Sequence, residues 1–523
     1  MRSSSCVVFI LLALSVHAAD HTISIDSGTL AGTVMDDGVR VFKGIPYAAA
    51  PIGELRWRRP AAPKSWEGVR SATEFGSICP QTSGLAAMSG GVLPKTDEDC
   101  LFLNIWTPAL SADESLPVMV WIHGGGLSLG WSNHSLYDGH EIAKRGIVLV
   151  SINYRLGPLG FLAHPALTKE AGFSGNYGFL DQVAALEWVK RNIKAFGGDE
   201  NQVTIFGESA GGTSVMALLS SPSTKNLIDG AIAQSPWFTE DNVKELTGKA
   251  SAEAFGSAWA EAGAPGKDLT TLRQIPADDL VGDGKVELPM YVTVDGDFLP
   301  RSVESIFARG QQLDVPLIVG TNADEGTMFV MMEGYANKVD FEQGLRDIYG
   351  EAAGAMLELY PVMDDTEVRG AVNQWLTDTW FLRAARVFLD SASNRSSSAY
   401  QYHFTRAVPG NPLGAHHGAD LRYVFNAMGG QAPFGGATAA EDLALAESII
   451  SYWTQFAKTG NPNLNGFEPW PEYGTTRSYL ELGDSITSGR ALGAERLDQL
   501  EANRRGYLER QSRGAVLSHT PRN

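Results

Sequence analysis

The sequence predicts an α/β fold with a mostly parallel central sheet and helices on its flanks. Three observations carry this. Short apolar runs end at glycine clusters, as buried strands do. Helix-length segments with a broad apolar face lie between them. Residues 203–234 read strand, tight turn, helix, strand, and a strand that returns after a helical crossover pairs in parallel.

The first strand of this set is 116–122, LPVMVWI, which stops at Gly124-Gly125-Gly126. The second is 147–154, and 139–146 between them is short and helix-like. Residues 178–196 predict a helix. Leu180, Val183, Ala184, Leu186, Trp188 and Ile193 form its apolar face, and Gly197-Gly198 ends it. Strand 203–206 runs into Gly207-Glu208-Ser209-Ala210-Gly211-Gly212, a helix covers 213–220, and strand 230–234 follows. From about 240 to 400 the spacing turns helical, with strands expected only near 315–320 and 398–405. These helices are expected to cover the sheet's C-terminal edge. No Pro/Gly/Ser-rich linker divides the chain, so residues 20–523 are expected to form a single domain.

Composition narrows the function. The chain has 523 residues, 44% hydrophobic and 19% charged, which supports a large buried core. Its 57 glycines exceed the usual share of roughly 7% without a G-X-Y period, pointing to turns and close backbone approaches. The net charge of −19 repels phosphate backbones and anionic membrane surfaces, so nucleic acid is not an expected partner.

Residues 1–19 read as a secretory signal peptide: Met1-Arg2, an apolar stretch of about 11 residues, and cleavage after Ala18 or Ala19. No later run reaches 18 apolar residues, so no integral membrane segment is expected. Cys6 leaves with the signal. Cys79 and Cys100 remain, and an even count in an exported chain reads as one disulfide. Two cysteines cannot form a structural zinc site, and HExxH and CxxC are absent; no metal or organic cofactor is implied.

The chemistry centres on Gly207-Glu208-Ser209-Ala210-Gly211, a G-x-S-x-G turn between strand and helix. Its glycines permit a tight turn that a side chain would obstruct, and Ser209 projects from the tip. A serine hydroxyl needs a base. His417 and His416 both stand in a turn before an apolar run. An acid to orient the base is expected after strand 315–320, where Asp324 and Glu325 both qualify. Acyl transfer also needs donors for an oxyanion, and His123-Gly124-Gly125-Gly126 follows a strand as such loops do.

With these motifs the chain resembles the type B carboxylesterases, a family that includes the cholinesterases and bacterial para-nitrobenzyl esterases. The resemblance runs from about Phe42 to about Tyr473. It rests on Phe42-Lys43-Gly44-Ile45-Pro46-Tyr47-Ala48, Glu98-Asp99-Cys100-Leu101-Phe102-Leu103-Asn104, Asn153-Tyr154-Arg155, Gly175-Asn176-Tyr177-Gly178 through Asp181-Gln182, and Phe206 to Gly212. It implies an α/β-hydrolase fold and the triad Ser209, Glu325 and His417. It also implies oxyanion donors at Gly125, Gly126 and Ala210, a polar cluster of Glu208, Ser235 and Asp420, and a Cys79–Cys100 disulfide.

Departures from the family bear on substrate. Residues 80–99 contain no Trp, Tyr or Phe, so the cation–π platform of cholinesterases is missing. Leu127 replaces the common Phe after HGGG. Trp131 and Trp237 stand where they could narrow the pocket. The C-terminus carries no amphipathic tetramer tail, so a monomer or homodimer is expected. The function expected is a secreted serine carboxylesterase acting on a small-molecule ester through an acyl-enzyme. A lipase-like preference for longer acyl chains, or a non-catalytic binding module, is the alternative.

Overall fold

Eleven strands form one sheet whose C-terminal edge carries the residues singled out above. In chain order the strands are β1 (Thr22–Ile25), β2 (Gly28–Ala31), β3 (Thr33–Val34), β4 (Arg40–Pro46), β5 (Val69–Ser71), β6 (Phe102–Thr107), β7 (Leu116–Ile122), β8 (Val148–Ile152), β9 (Gly198–Glu208), β10 (Gly230–Gln234), β11 (Val243–Glu245), β12 (Val292–Val294), β13 (Leu317–Asn322), β14 (Ala399–Phe404), β15 (Ser478–Leu482) and β16 (Ile486–Arg490). The large sheet has the order β16-β15-β14-β13-β10-β9-β7-β8-β6-β4-β3. Its six central pairs, β15-β14 through β7-β8, are parallel, and the four outer pairs are antiparallel. The computed structural model describes residues 22–84, 86, 92–239, 243–282, 291–429 and 438–512, so the expected signal peptide lies outside the described residues.

Strand alternation builds two cores. Along β7, Val118, Val120 and Ile122 enter the core on one face, and Met119 and Trp121 enter the core on the other. On the first face lie α2 (Tyr177–Asn192) and α3 (Ala210–Ser220). A single-turn helix α1 (His140–Ala143) and the long α7 (Ala440–Thr459) cover the second. Trp121 is fully buried there among Tyr137, Phe206 and Phe425, with ring centroids 4.9–5.0 Å away. Truncating such a side chain costs about 3–5 kcal/mol. A third cluster gathers helices between 330 and 382 with Leu497 and Leu500. Its elements include α5 (Val368–Leu376), while α4 (Val303–Ala308) and α6 (Arg383–Ala392) pack on the first core and α8 (Ala494–Ser512) closes the run.

The central strands and helices fall where the apolar runs place them. One expectation is corrected: the region from 240 to 400 holds a second parallel pair, β11 with β12. Three-residue strands that meet across about fifty residues of chain leave no periodicity to read.

The register explains the site. Ile122 pairs with Gly207, Gln234 with both Glu208 and Gly320, and Asn322 with Phe404. The loops after β7, β9, β10 and β13 therefore leave the sheet side by side, at the edge where open α/β sheets bind ligands.

Candidate active site

Ser209 is the N-cap of α3, with φ 58° and ψ −122°. A side chain at this positive φ is held only by strong surroundings. Ser209 N–H donates to Gln234 O at 2.9 Å, and Thr213 N–H donates to Ser209 O at 2.8 Å. Glycine makes the turn possible: a Cβ on Gly211 would lie 2.0 Å from the Ile122 carbonyl, so only glycine lets α3 start against the end of β7. A Cβ on Gly124 would fall 2.7 Å from Glu208 O and 3.0 Å from Ser209 Cβ. The HGGG loop and the serine turn are thus back to back.

Gly125, Gly126 and Leu127 follow with φ of 107°, 61° and 61°. The Gly125 carbonyl accepts from Ser128 and Leu129 N–H, which folds the loop tightly. Ala210 opens α3, so its N–H is among those that have no partner within the helix. His123 is fully enclosed. Burial holds its pKa down to about 4, so the ring is neutral and its Nδ1–H can donate to Gly124 O, 2.8 Å away. The ring stacks on Tyr154 at 4.5 Å, and Tyr154 Oη–H donates to His123 O. His123 holds the loop's shape.

The structure separates the two acids and the two histidines. Glu325 Oε2 stands 2.6 Å from His417 Nδ1. Its other oxygen accepts from Ser235 Oγ–H at 2.5 Å and from Asn322 N–H at 2.7 Å. Asp324 instead binds the neighbouring loop: its carboxylate accepts from Ala415 N–H and Asn373 Nδ2–H. His416 Nδ1 lies 2.8 Å from the His417 carbonyl, and burial lowers the pKa of its ring.

A second acid stands beside the His417 ring. His417 Nε2 is 3.2 Å from Glu208 Oε1, without the alignment of a hydrogen bond. Burial pushes the Glu208 carboxyl up, His417 opposes this, and Asp420 and Glu325 add to it. Burial alone would lower the His417 pKa, but the Glu208 and Glu325 carboxylates outweigh it and raise the imidazole well above its ordinary value. Asp420 is buried behind them and accepts from Tyr402 Oη–H, Gln234 Nε2–H and Asn322 Nδ2–H. Gln234, Asn322 and Tyr402 were not singled out in the sequence. The readable signal was a buried polar residue at the C-terminal end of β10 and of β13.

An aromatic row borders the His417 ring. Phe329 and Phe381 lie 5.2 and 4.8 Å from the His417 ring, and Trp380 lies between Phe329 at 5.4 Å and Trp237 at 5.6 Å. Trp237 is fastened to the helix that Ser209 caps: its N–H donates to Thr213 Oγ1, and Thr213 Oγ–H donates to its carbonyl. Leu127 is buried against the first core. Trp131 packs with Ile78, Ala86 and Leu93, 5.3 Å from His134. Cys79 and Cys100 are joined as a disulfide.

A serine on a strained strand-to-helix turn, at the C-terminal edge of a sheet parallel at its centre, defines an α/β-hydrolase. The carboxylesterase family model matches residues 19–500, and the chain belongs to that family of carboxylic ester hydrolases. It is 36% identical to the fumonisin B1 esterase of Sphingopyxis macrogoltabida, over 89% of this chain and 87% of that one. It is also 36% identical to the para-nitrobenzyl esterase of Bacillus subtilis (strain 168), over 88% of this chain and 94% of that one. A solved PNB esterase structure superposes with a TM-score of 0.82 at 34% identity, covering 92% of this chain and 99% of that one.

Proposed function

We propose that the enzyme cleaves small carboxylic esters by acyl transfer, with Ser209 as nucleophile, His417 as base and Glu325 as the acid that orients it. The observation that carries this is the chain Ser235–Glu325–His417, whose imidazole Nε2 lies 3.2 Å from Glu208, the residue before Ser209 on the strained turn. Ser209 Oγ attacks the acyl carbon while His417 Nε2 takes its proton, and Glu325 steadies the imidazolium. The oxyanion is held by N–H groups of Gly125, Gly126 and Ala210. The alcohol leaves with the proton from His417. Water activated by the same imidazole then releases the carboxylate.

The aromatic row from Trp237 to Phe381 favours an apolar acyl group of limited length. No cofactor enters this scheme. Residues 20–523 act as one catalytic domain after export and removal of residues 1–19. The Cys79–Cys100 disulfide supports that route, because such bonds persist in oxidising compartments. Among the described residues no helix is long and apolar enough to cross a membrane.

The test is turnover of para-nitrophenyl esters of increasing acyl length by the mature chain and by Ser209→Ala. The expected result is a maximum at short chains and a loss of about 10⁴-fold or more in the variant, which still folds. Near-normal turnover by Ser209→Ala overturns the assignment. Rates that climb steadily with chain length overturn the acyl-size reading.

A further inference from the structure

Helices α5 and α6 are one continuous run interrupted by a π turn, Thr377–Leu382. A π turn inserts an extra residue, is rare, and is frequent at functional sites. This one touches both halves of the base assembly. Thr377 Oγ1 accepts from the N–H of Gly326, the residue after Glu325, at 3.0 Å. Phe381 and Trp380, on the same turn, supply half of the aromatic row.

The opposite side of the turn is braced by α8. Asp378 is fully buried. It accepts from Arg496 Nε–H at 2.7 Å and Nη2–H at 3.3 Å, from Tyr360 Oη–H at 3.2 Å and from Gln374 Nε2–H at 3.1 Å. Two further ion pairs repeat the link with reversed sign: Arg383 with Glu501, and Arg386 with Asp498. Arg383 also donates to Glu304 on α4 and to the carbonyl of Phe238, next to Trp237. Leu497 and Leu500 seat α8 in the cluster that holds Trp375, Leu376 and Leu382.

We infer that α8 is a brace for the substrate-facing wall, and that Arg496 and Asp378 are positioning residues that set acyl-chain selectivity and the placement of His417. A buried carboxylate without its counter-ion is strongly unfavourable, so Asp378 stays where Arg496 can reach it. That fixes the extra residue of the π turn. If the turn relaxed to α geometry, every later side chain would rotate by about 100°. Phe381 would leave the His417 ring, and Trp380 would leave its place between Trp237 and Phe329. Because α8 supplies the counter-ion, the last helix described in the chain governs a wall more than 100 residues earlier in sequence.

The inference rests on the proposed reaction, and its test separates the two. Asp378→Asn with Arg496→Met removes both charges without stranding either. Its kcat and KM are measured on para-nitrophenyl acetate, butyrate and octanoate beside wild type, with the pH dependence of kcat/KM and the melting curve. The expected result is a cooperative melt and a butyrate-to-acetate kcat/KM ratio displaced by about tenfold, the scale of one methylene in an apolar pocket. Arg496→Lys alone, which keeps a cation for Asp378, is expected to retain most of the wild-type ratio. A folded double variant with the wild-type ratio and pH profile overturns the brace.

Where the double variant does not fold, Glu501→Gln loosens the Arg383 arm alone. It is expected to displace the ratio in the same direction, and an unchanged ratio counts against the brace. Amide exchange gives a readout independent of turnover. Peptides covering residues 377–392 and 411–425 are expected to lose protection together in whichever variant folds, and loss in the first alone overturns the coupling to His417. Absence of turnover in wild type overturns the proposed reaction and leaves the exchange result to decide the brace.

Discussion

At the scale of the residue, His417 is governed by the two carboxylates at its ring nitrogens. The base role proposed for it requires an unprotonated ring to accept the serine proton, so kcat/KM is expected to fall as pH falls through the imidazole's pKa. Glu208 and Glu325 hold that pKa up, which places the acid limb above the range of an unperturbed histidine. Replacing Glu208 by Gln removes one of the two charges and leaves the Glu325 contact in place. The expected outcome is an acid limb moved to lower pH by about one pH unit, the lower end of what a neighbouring charge achieves. A kcat/KM profile from pH 5 to 10 checks it; an unmoved limb, or one moved upward, refutes the electrostatic reading. Little of this was legible beforehand. Asp324 and Glu325 are adjacent, as are His416 and His417, and no property of the types chooses between neighbours. Family resemblance made the choice. At the end of β13 Asp324 turns to the Ala415 loop and Glu325 turns to the His417 ring.

At the scale of the element, the central strands were legible because the buried runs are apolar, and glycines close those at 116–122 and 203–206. The β11–β12 pair was not, because three-residue strands carry too few residues to show a period. The π turn and the aromatic row were also invisible, since Trp237, Phe329 and Phe381 meet only in space. Two predictions belong here. Gly124→Ala drives a methyl group against Glu208 O and Ser209 Cβ and must displace the HGGG loop. A loss of about 10²-fold or more in kcat is expected, comparable to losing one oxyanion donor, with KM little changed; single-substrate kinetics on para-nitrophenyl acetate decide it. The second concerns the disulfide, whose half-cystines are 21 residues apart. Closing a loop of that size stabilises by about 3 kcal/mol through the unfolded state. Cys79→Ser with Cys100→Ser is expected to lower the urea midpoint accordingly while kcat at 25 °C is retained. A kcat that collapses with the bond would show that the loop shapes the pocket as well.

At the scale of the whole molecule, the net charge of −19 invites the idea of a site for cationic esters. Two separate effects have to be told apart. A diffuse acidic field raises the encounter rate of a cation from any side and is screened by salt, with a Debye length of about 8 Å at physiological ionic strength. A built cation site, by contrast, holds the ammonium against an aromatic face at van der Waals distance, where added salt does little. The segment between the half-cystines, residues 80–99, supplies no aromatic residue for such a face. The aromatic row that is present is fastened to the Ser209 helix and to His417, on the side assigned above to the acyl group. The diffuse field is therefore the selective force expected to act on a charged alcohol. Acetylcholine and its neutral isostere 3,3-dimethylbutyl acetate differ in little but charge, so the ratio of their kcat/KM values isolates it. That ratio is expected to stay within about tenfold at 10 mM salt, at the low end of electrostatic steering, and to approach one at 0.5 M. A preference for choline that survives high salt would mean that a cation-binding face exists, and that the acidic balance of the chain accompanies specific recognition.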